Sequence, residues 1–231
     1  MKRMCFAAVV TLTCAGWAVQ AVAQTAISAD GGIESTAVGF IFPDGTVQAT
    51  AATAGSAPVE DTGQTQCFRE DGFLRACTGT GEDGEFQAGV AWPTPRFTDN
   101  GDGTVTDNLT GLIWLKEANC PAGTKTWQEA LDWVVLLNFT SIACTDYAAQ
   151  THSDWRLPNI KELLSLVDYG TSDPALPTGH PFMDVQSSFY WSSSSNVANP
   201  PGAWGVGMGG GDGGNVGKTI TLYVWPVRSG Q

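Results

Sequence analysis

Apolar residues are distributed along this chain in three distinct ways. Between Met4 and Val22 they run almost unbroken. Across residues 24–66 they nearly vanish among Ala, Thr, Gly and Ser, and from Cys67 onward they come in short bursts separated by Gly, Asn and Pro. The first run follows Lys2 and Arg3 and ends in Ala21-Val22-Ala23, the small-residue pattern that a signal peptidase requires, so residues 1–23 are expected to be a signal peptide. Thr11, Thr13 and Gly16 interrupt the run, which is too short for a membrane anchor, and no later segment is apolar enough to span a bilayer. Cys14 follows Thr11-Leu12-Thr13 rather than small residues, which argues against lipidation.

Residues 24–66 cannot bury a core of their own and are expected to be a low-complexity leader. Ile33 and Phe40-Ile41-Phe42 are its main large apolar residues, and Pro43-Asp44-Gly45 reads as a turn opening a short strand at Val47. The segment is either a stalk that associates chains into a homo-oligomer or a plain linker.

The later bursts have readable periods. Cys67 and Cys77 flank a small hairpin with Glu70-Asp71-Gly72 as its turn, followed by an acidic, Gly-rich loop from Gly79 to Gly84. Short β-rich runs at Arg96-Phe97-Thr98-Asp99, Thr104-Val105-Thr106-Asp107 and Leu112-Ile113-Trp114-Leu115, parted by Asn and Gly turns, predict a meander. Two capping boxes follow, Thr126-Trp127-Gln128-Glu129 and Asn159-Ile160-Lys161-Glu162. The first opens a helix to about Asn138, with Trp127, Ala130, Leu131, Val134, Val135 and Leu137 or Asn138 at helical spacing on its core face. The second is expected to bury Ile160, Leu163, Leu164 and Val167 and to end at a Gly170 cap. Beyond it, strands are predicted at Phe189-Tyr190-Trp191-Ser192, at Ala203-Trp204-Gly205-Val206 and between Thr219 and Val227. Long polar loops are expected between Ser192 and Lys218. Trp114, Trp155, Trp191 and Trp225 sit among apolar neighbours and are expected in the core.

Export changes how the cysteines read. Cys67, Cys77, Cys120 and Cys144 remain after the signal is removed, an even number in an oxidising compartment. Of the possible pairings, Cys67–Cys77 and Cys120–Cys144 are favoured because each closes a modest local loop. No spacing suits zinc. The whole chain has 11 basic and 23 acidic residues, so the loss of Lys2 and Arg3 leaves 9 − 23 = −14. That charge argues against nucleic acid and against anionic lipid surfaces as partners.

Candidate chemistry is sparse. Asp99, Asn100 and Asp102 alternate before Gly103 as oxygen ligands do in a calcium loop, but Thr98 and Leu109 then occupy positions that require an acid and a bidentate Glu. A metal-free turn is the expectation, with calcium as the one candidate cofactor. Ser192 to Ser195 with His152 or His180 would be an improvised nucleophilic site. Asp154, Glu162, Asp168 and Asp184 are the carboxylates from which a glycosidase pair would be drawn.

Several motifs, in order, resemble one family. The run through Phe97, Asp107 and Trp114, the Trp155-Arg156-Leu157-Pro158 helix start, His180-Pro181-Phe182, Tyr190-Trp191-Ser192-Ser193 and Tyr223-Val224-Trp225-Pro226-Val227-Arg228 look like the Lcl C-terminal domain family. This domain ends the Legionella collagen-like adhesin. The resemblance spans residues 67–229, with residues 67–96 as the disulfide hairpin and acidic loop and residues 97–229 as the core. It implies an α+β, C-type-lectin-like, loop-rich fold: a β-meander, two helices, long loops and a short antiparallel sheet. It also implies adhesion.

The chain lacks collagen repeats, and its acidity opposes a sulfated polysaccharide. The Glu-Pro-Asn and Trp-Asn-Asp triplets of calcium-dependent sugar lectins are absent, as is the late cysteine pair of formylglycine-generating relatives. The resulting expectation is an exported, non-enzymatic binding or adhesion domain in the periplasm, at the cell surface or outside the cell. It would recognise a glycan or protein through Asn196, Asn199, Trp204, Asp212 and Asn215 on the projecting loops. The alternatives are a structural subunit of a surface assembly and, behind it, a glycoside-acting enzyme.

Overall fold

The computed structural model describes residues 59–140, 142, 144–148 and 152–230, together with the backbone of three short strands at 34–36, 39–41 and 47–48. The expected signal peptide and the Pro43-Asp44-Gly45 turn lie outside the described residues. The chain divides into two compact units, Met1–Ala57 and Pro58–Gln231. In the first, β1 (Glu34–Thr36), β2 (Gly39–Ile41) and β3 (Val47–Gln48) form an antiparallel sheet in the order β1-β2-β3, with Ile41 opposite Val47.

The second unit begins ahead of the Cys67 boundary drawn from composition. Residues 59–66 are held mainly by their backbone: Asp61 N–H donates to the Val90 carbonyl (3.1 Å), Val90 N–H to Val59 (2.8 Å) and Tyr169 N–H to Thr62 (2.9 Å). Composition is blind to such bonds, because they need no large apolar side chain.

β4 (Cys67–Phe68) and β5 (Leu74–Arg75) form the expected hairpin, closed by the Cys67–Cys77 disulfide with Cα atoms 5.2 Å apart. The acidic loop contains one turn of helix, α1 (Asp83–Phe86). Its carboxylates tie the loop together, since Glu85 accepts from Gly79 N–H (2.6 Å) and Gly81 N–H (2.8 Å). The meander is present as β6 (Phe97–Asp99), β7 (Thr104–Asp107) and β8 (Ile113–Leu115).

α2 (Trp127–Phe139) opens on the Thr126–Glu129 capping box. It buries Ala130, Val134 and Leu137, one stripe at helical spacing. Val135 is not part of that stripe: it lies about 100° round from Val134 and is exposed beside Leu136 and Phe139. Trp127 is half-buried, with its Nε1 donating to the Ser192 carbonyl at 2.8 Å.

α3 (Ile160–Leu164) has the Asn159–Glu162 capping box but ends at Ser165, well short of Gly170. After it, Leu166 and Val167 bond back to Leu163 and Leu164 in tight turns, and the chain is then drawn away by distant partners. Asp168 N–H donates to Ala175 and Tyr169 N–H to Thr62, while Gly170 N–H is held by the Asp168 carboxylate. Gly170 is therefore not a helix cap.

β9 (Phe189–Ser195), β10 (Gly202–Gly207) and β11 (Asp212–Gly217) form a second sheet in the order β11-β10-β9. A parallel bridge between Tyr190 and Tyr223 extends the free edge of β9. The expected strand from Thr219 to Val227 shrinks to such bridges plus β12 (Val227–Arg228), which pairs with β8 and gives the first sheet the order β12-β8-β7-β6.

Residues 222–228 thus pass from one sheet to the other. Trp225 sits on that passage, 4.8 Å from Phe182, 5.4 Å from Tyr190 and 5.7 Å from Trp114 between ring centroids, and donates Nε1 to Leu115 at 2.8 Å. Trp114, Trp155, Trp191 and Trp225 are all buried, as their neighbours predict. The indole N–H of Trp155 is met by the Tyr147 hydroxyl (2.7 Å) and that of Trp191 by the Lys125 carbonyl (2.8 Å).

Candidate functional site

The segment expected as long polar loops is mostly the β9–β11 sheet. The Gly-rich stretch from Gly207 to Asn215, inside the expected loops, is the closing half of an antiparallel hairpin: Trp204 pairs with Asn215, Val206 with Gly213 and Gly207 with Asp212. The glycines serve packing more than freedom. The Phe189 ring crosses Gly205, Gly207 and Gly214, and a Cβ at Gly207 or Gly214 would lie 3.1 Å from it. Only Gly211, at φ +83°, is needed for a left-handed turn.

That register decides which proposed site residues meet. Trp204 and Asn215 are directly opposite and so share a face of the sheet. Trp204 is 36% exposed, and the Asn215 side-chain amide lies over Gly202 with no hydrogen bond of its own among the described residues. Asn199 stands at the same end, in the turn whose backbone bonds run from Asn199 N–H to Asn196 and from Gly202 N–H to Asn199. Asn196 is committed locally, because its Oδ1 accepts from Ala198 N–H at 2.9 Å. Asp212 does not join them. Strand alternation puts it on the opposite face with Gly207, at the far end of the hairpin.

Lys218, which the sequence did not single out, flanks the Asn199 end together with Trp127, expected as core. Lys218 donates to Ser195 Oγ at 2.8 Å and holds its ammonium 4.1 Å from the Trp127 ring. No local pattern links Lys218 to Trp127, because their contact spans the whole helical region.

The improvised catalytic groups are otherwise occupied. Ser192 Oγ donates to the Trp204 carbonyl (2.6 Å), Ser193 Oγ to Pro158 (3.2 Å), and Ser194 Oγ accepts from Ile160 N–H (3.1 Å). Glu162 is gripped by Arg156 through two 2.6 Å bonds, and Asp154 by Arg228 at 2.7 Å. Burial alone would raise the Glu162 pKa, but the Arg156 bonds, the Asn159 N–H and the Arg156 charge together bring it below the usual carboxylate value. Asp168 goes the other way, raised chiefly by burial. Asp184 Oδ2 accepts from Asn119 (2.9 Å) and its Oδ1 from Gln186 (2.6 Å).

The calcium candidates form a closed turn. Asp99 Oδ1 accepts from Gly101 N–H (3.0 Å), Asp102 Oδ1 from Thr104 N–H (3.0 Å), and Asn100 donates to Thr104 and Thr106. The cation beside them is Lys116, whose ammonium bridges Asp99 (3.0 Å) and Asp146 (3.1 Å). The Gly101 N–H and the Lys116 bond hold the Asp99 carboxyl below its ordinary value. Glu117, Cys120 and Cys144 also cluster, but the two sulfurs are bonded to each other, Cα to Cα 5.3 Å, and are not thiolate ligands.

A cavity of about 480 Å³ lies elsewhere, lined by Val59, Val90 and Leu109 together with Glu60 and Lys161. Burial raises the Glu60 carboxyl against the opposing pull of Arg96. Glu60 escaped notice in the sequence because it falls in the compositional leader.

Fold and surface together define a disulfide-stapled α+β domain that presents a partly exposed tryptophan on a glycine-thinned hairpin. The chain belongs to the family of the Lcl C-terminal domain, whose model matches residues 103–228, from the β6–β7 turn to the end of β12. No curated protein matches the chain. No helix among the described residues is long and apolar enough to cross a membrane.

Proposed function

We propose that this chain is exported and acts without catalysis as an adhesin-type binding domain on a C-type-lectin-like scaffold, offering the Trp204–Asn215 rung to a neutral glycan or a protein surface. The carrying observation is that rung: a partly exposed large aromatic beside an uncommitted amide. An indole face takes the C–H face of a sugar or an apolar side chain, and the amide supplies both a donor and an acceptor for hydroxyls or backbone groups. Two disulfides support an oxidising compartment, and membership of the adhesin-associated family supports surface attachment. The net charge of −12 disfavours sulfated polysaccharides.

The absence of catalysis is supported by the prior engagement of Ser192, Ser193 and Ser194 with backbone groups and of Glu162 and Asp154 with arginines. The Lys116 ammonium between Asp99 and Asp146 favours calcium-independent binding.

A glycan array probed with and without chelator tests the proposal. The expected result is binding to neutral glycans that survives chelation and is lost in Trp204→Ala while the melting temperature is kept. Binding confined to sulfated glycans, an undiminished signal in Trp204→Ala, or glycoside hydrolysis would sink it.

A further inference from the structure

A second site is indicated where residues 93–97 face residues 177–181 across a cavity of about 260 Å³. Arg96 and His180 both line it. The Arg96 side chain is 5% exposed and spends Nε and Nη2 on Asp107 and the Ser165 carbonyl, yet its Nη1 is buried with no hydrogen-bond partner among the described residues. His180 Nδ1 is in the same condition. Three buried side-chain polar atoms lack a partner among the described residues, Trp114 Nε1 being the third, and the two that belong to residues walling this one cavity are where a bound polar group would satisfy them. Pro93, Pro95, Pro177 and Pro181 line the cavity on both sides.

The chemistry of the orphans selects the ligand. Arg96 Nη1 needs an acceptor, but its positive charge is already met by Asp107 at 2.8 Å, with Glu60 at 3.9 Å, so the cavity offers little net attraction to an anion. Burial lowers the His180 pKa and keeps the imidazole neutral, so Nδ1 is either an acceptor or a single donor. A hydroxyl group satisfies both nitrogens in either tautomer. The proline rings and Phe97 supply apolar faces for ring C–H groups.

We propose that this cavity binds a small, neutral, polyhydroxylated ligand of about monosaccharide size, with one hydroxyl accepting from Arg96 Nη1 and another bonded to His180 Nδ1. The site shares no residue with the Trp204 rung and does not rest on what that surface binds.

The test is an NMR titration of the isotope-labelled, full exported chain with D-glucose, D-mannose, N-acetyl-D-glucosamine and myo-inositol, and with inorganic phosphate as the anionic comparator. At least one polyol is expected to shift the His180 imidazole nitrogens saturably while the Trp204 indole stays still. His180→Phe keeps a ring but removes both ring nitrogens, Nδ1 among them, and is expected to weaken that binding by about tenfold, the worth of one hydrogen bond. Thr178→Trp adds bulk at a lining residue that carries neither orphan nitrogen and should abolish binding, so the result does not hang on one variant. The proposal is overturned if no polyol moves His180, if phosphate alone does, or if both variants bind as the parent does. A shift at Trp204 with His180 silent would also overturn it while leaving the surface proposal standing.

Discussion

Arg96 and Asp107 are joined by two hydrogen bonds, Nε to Oδ1 at 2.8 Å and Nη2 to Oδ2 at 3.1 Å, with the Asp107 side chain fully buried. Asp107 also accepts from Leu109 N–H and Thr110 Oγ1, so one carboxylate closes the β7–β8 turn and anchors the residue that precedes β6. Asp107→Asn keeps the size but strands the guanidinium. A loss of about 3–5 kcal/mol is expected from urea unfolding, the usual cost of breaking one partner of a buried pair. A change below about 1 kcal/mol, the range of exposed pairs, would show that the pair is not load-carrying.

The Cys120–Cys144 bridge closes a loop of sequence separation 24 and fixes the segment against which the β6–β7 turn rests, where any side chain at Gly103 would strike the Tyr147 backbone. Replacing both cysteines by Ala is expected to cost about 3 kcal/mol by loop closure. The loss should appear in chemical unfolding of the oxidised parent against the double variant, and reductant should destabilise the parent but leave a Cys120→Ala/Cys144→Ala variant with reduced dependence on it.

What could be read from the sequence was whatever is encoded locally. The two capping boxes, the meander turns and the cysteine pairing each depend on residues close along the chain, and the four core tryptophans announce themselves by their apolar neighbours. Distant partners decided the rest. The strand at residues 203–206 was readable, but the glycines from Gly207 to Gly214 signal a loop by local rules, and they pair back onto that strand with Phe189 lying across Gly205, Gly207 and Gly214. Residues 59–66 look like linker until Val90 and Tyr169 supply their hydrogen bonds. Among the candidate residues, Trp204 and Asn215 share one face of the hairpin and Asp212 falls on the other, a division set by strand parity that composition does not carry, and Lys218 reaches Trp127 only in three dimensions.

The face of α2 is a direct check on that lesson. Val134 is 2% exposed and Val135 is 54% exposed, although both were expected inside. Val134→Ala should cost about 1–3 kcal/mol through lost burial and a residual cavity, whereas Val135→Ala should stay within about 0.5 kcal/mol. Equal losses measured by thermal unfolding would place Val135 in a contact that the fold does not show.

Glu162 and Glu60 should give opposite slopes to the pH dependence of stability. For Glu162 the folded-state pKa is below the ordinary 4.5, because Arg156 and the Asn159 N–H outweigh burial. Its stabilisation is therefore present above the unfolded carboxylate pKa and is lost as pH falls through the lower, folded value. Glu162→Gln should lower stability at neutral pH by about 1 kcal/mol, since the bidentate Arg156 grip is weakened, and should flatten the acid limb of the stability curve.

For Glu60, burial raises the folded pKa above 4.5. Its contribution is favourable only when protonated, present below the unfolded pKa and lost as pH rises through the folded one. Glu60→Gln should accordingly raise the melting temperature at neutral pH and leave it nearly unchanged in acid. Melting curves of both variants across the acid-to-neutral range decide the matter: slopes of the same sign would mean that Arg96 governs Glu60 as firmly as Arg156 governs Glu162.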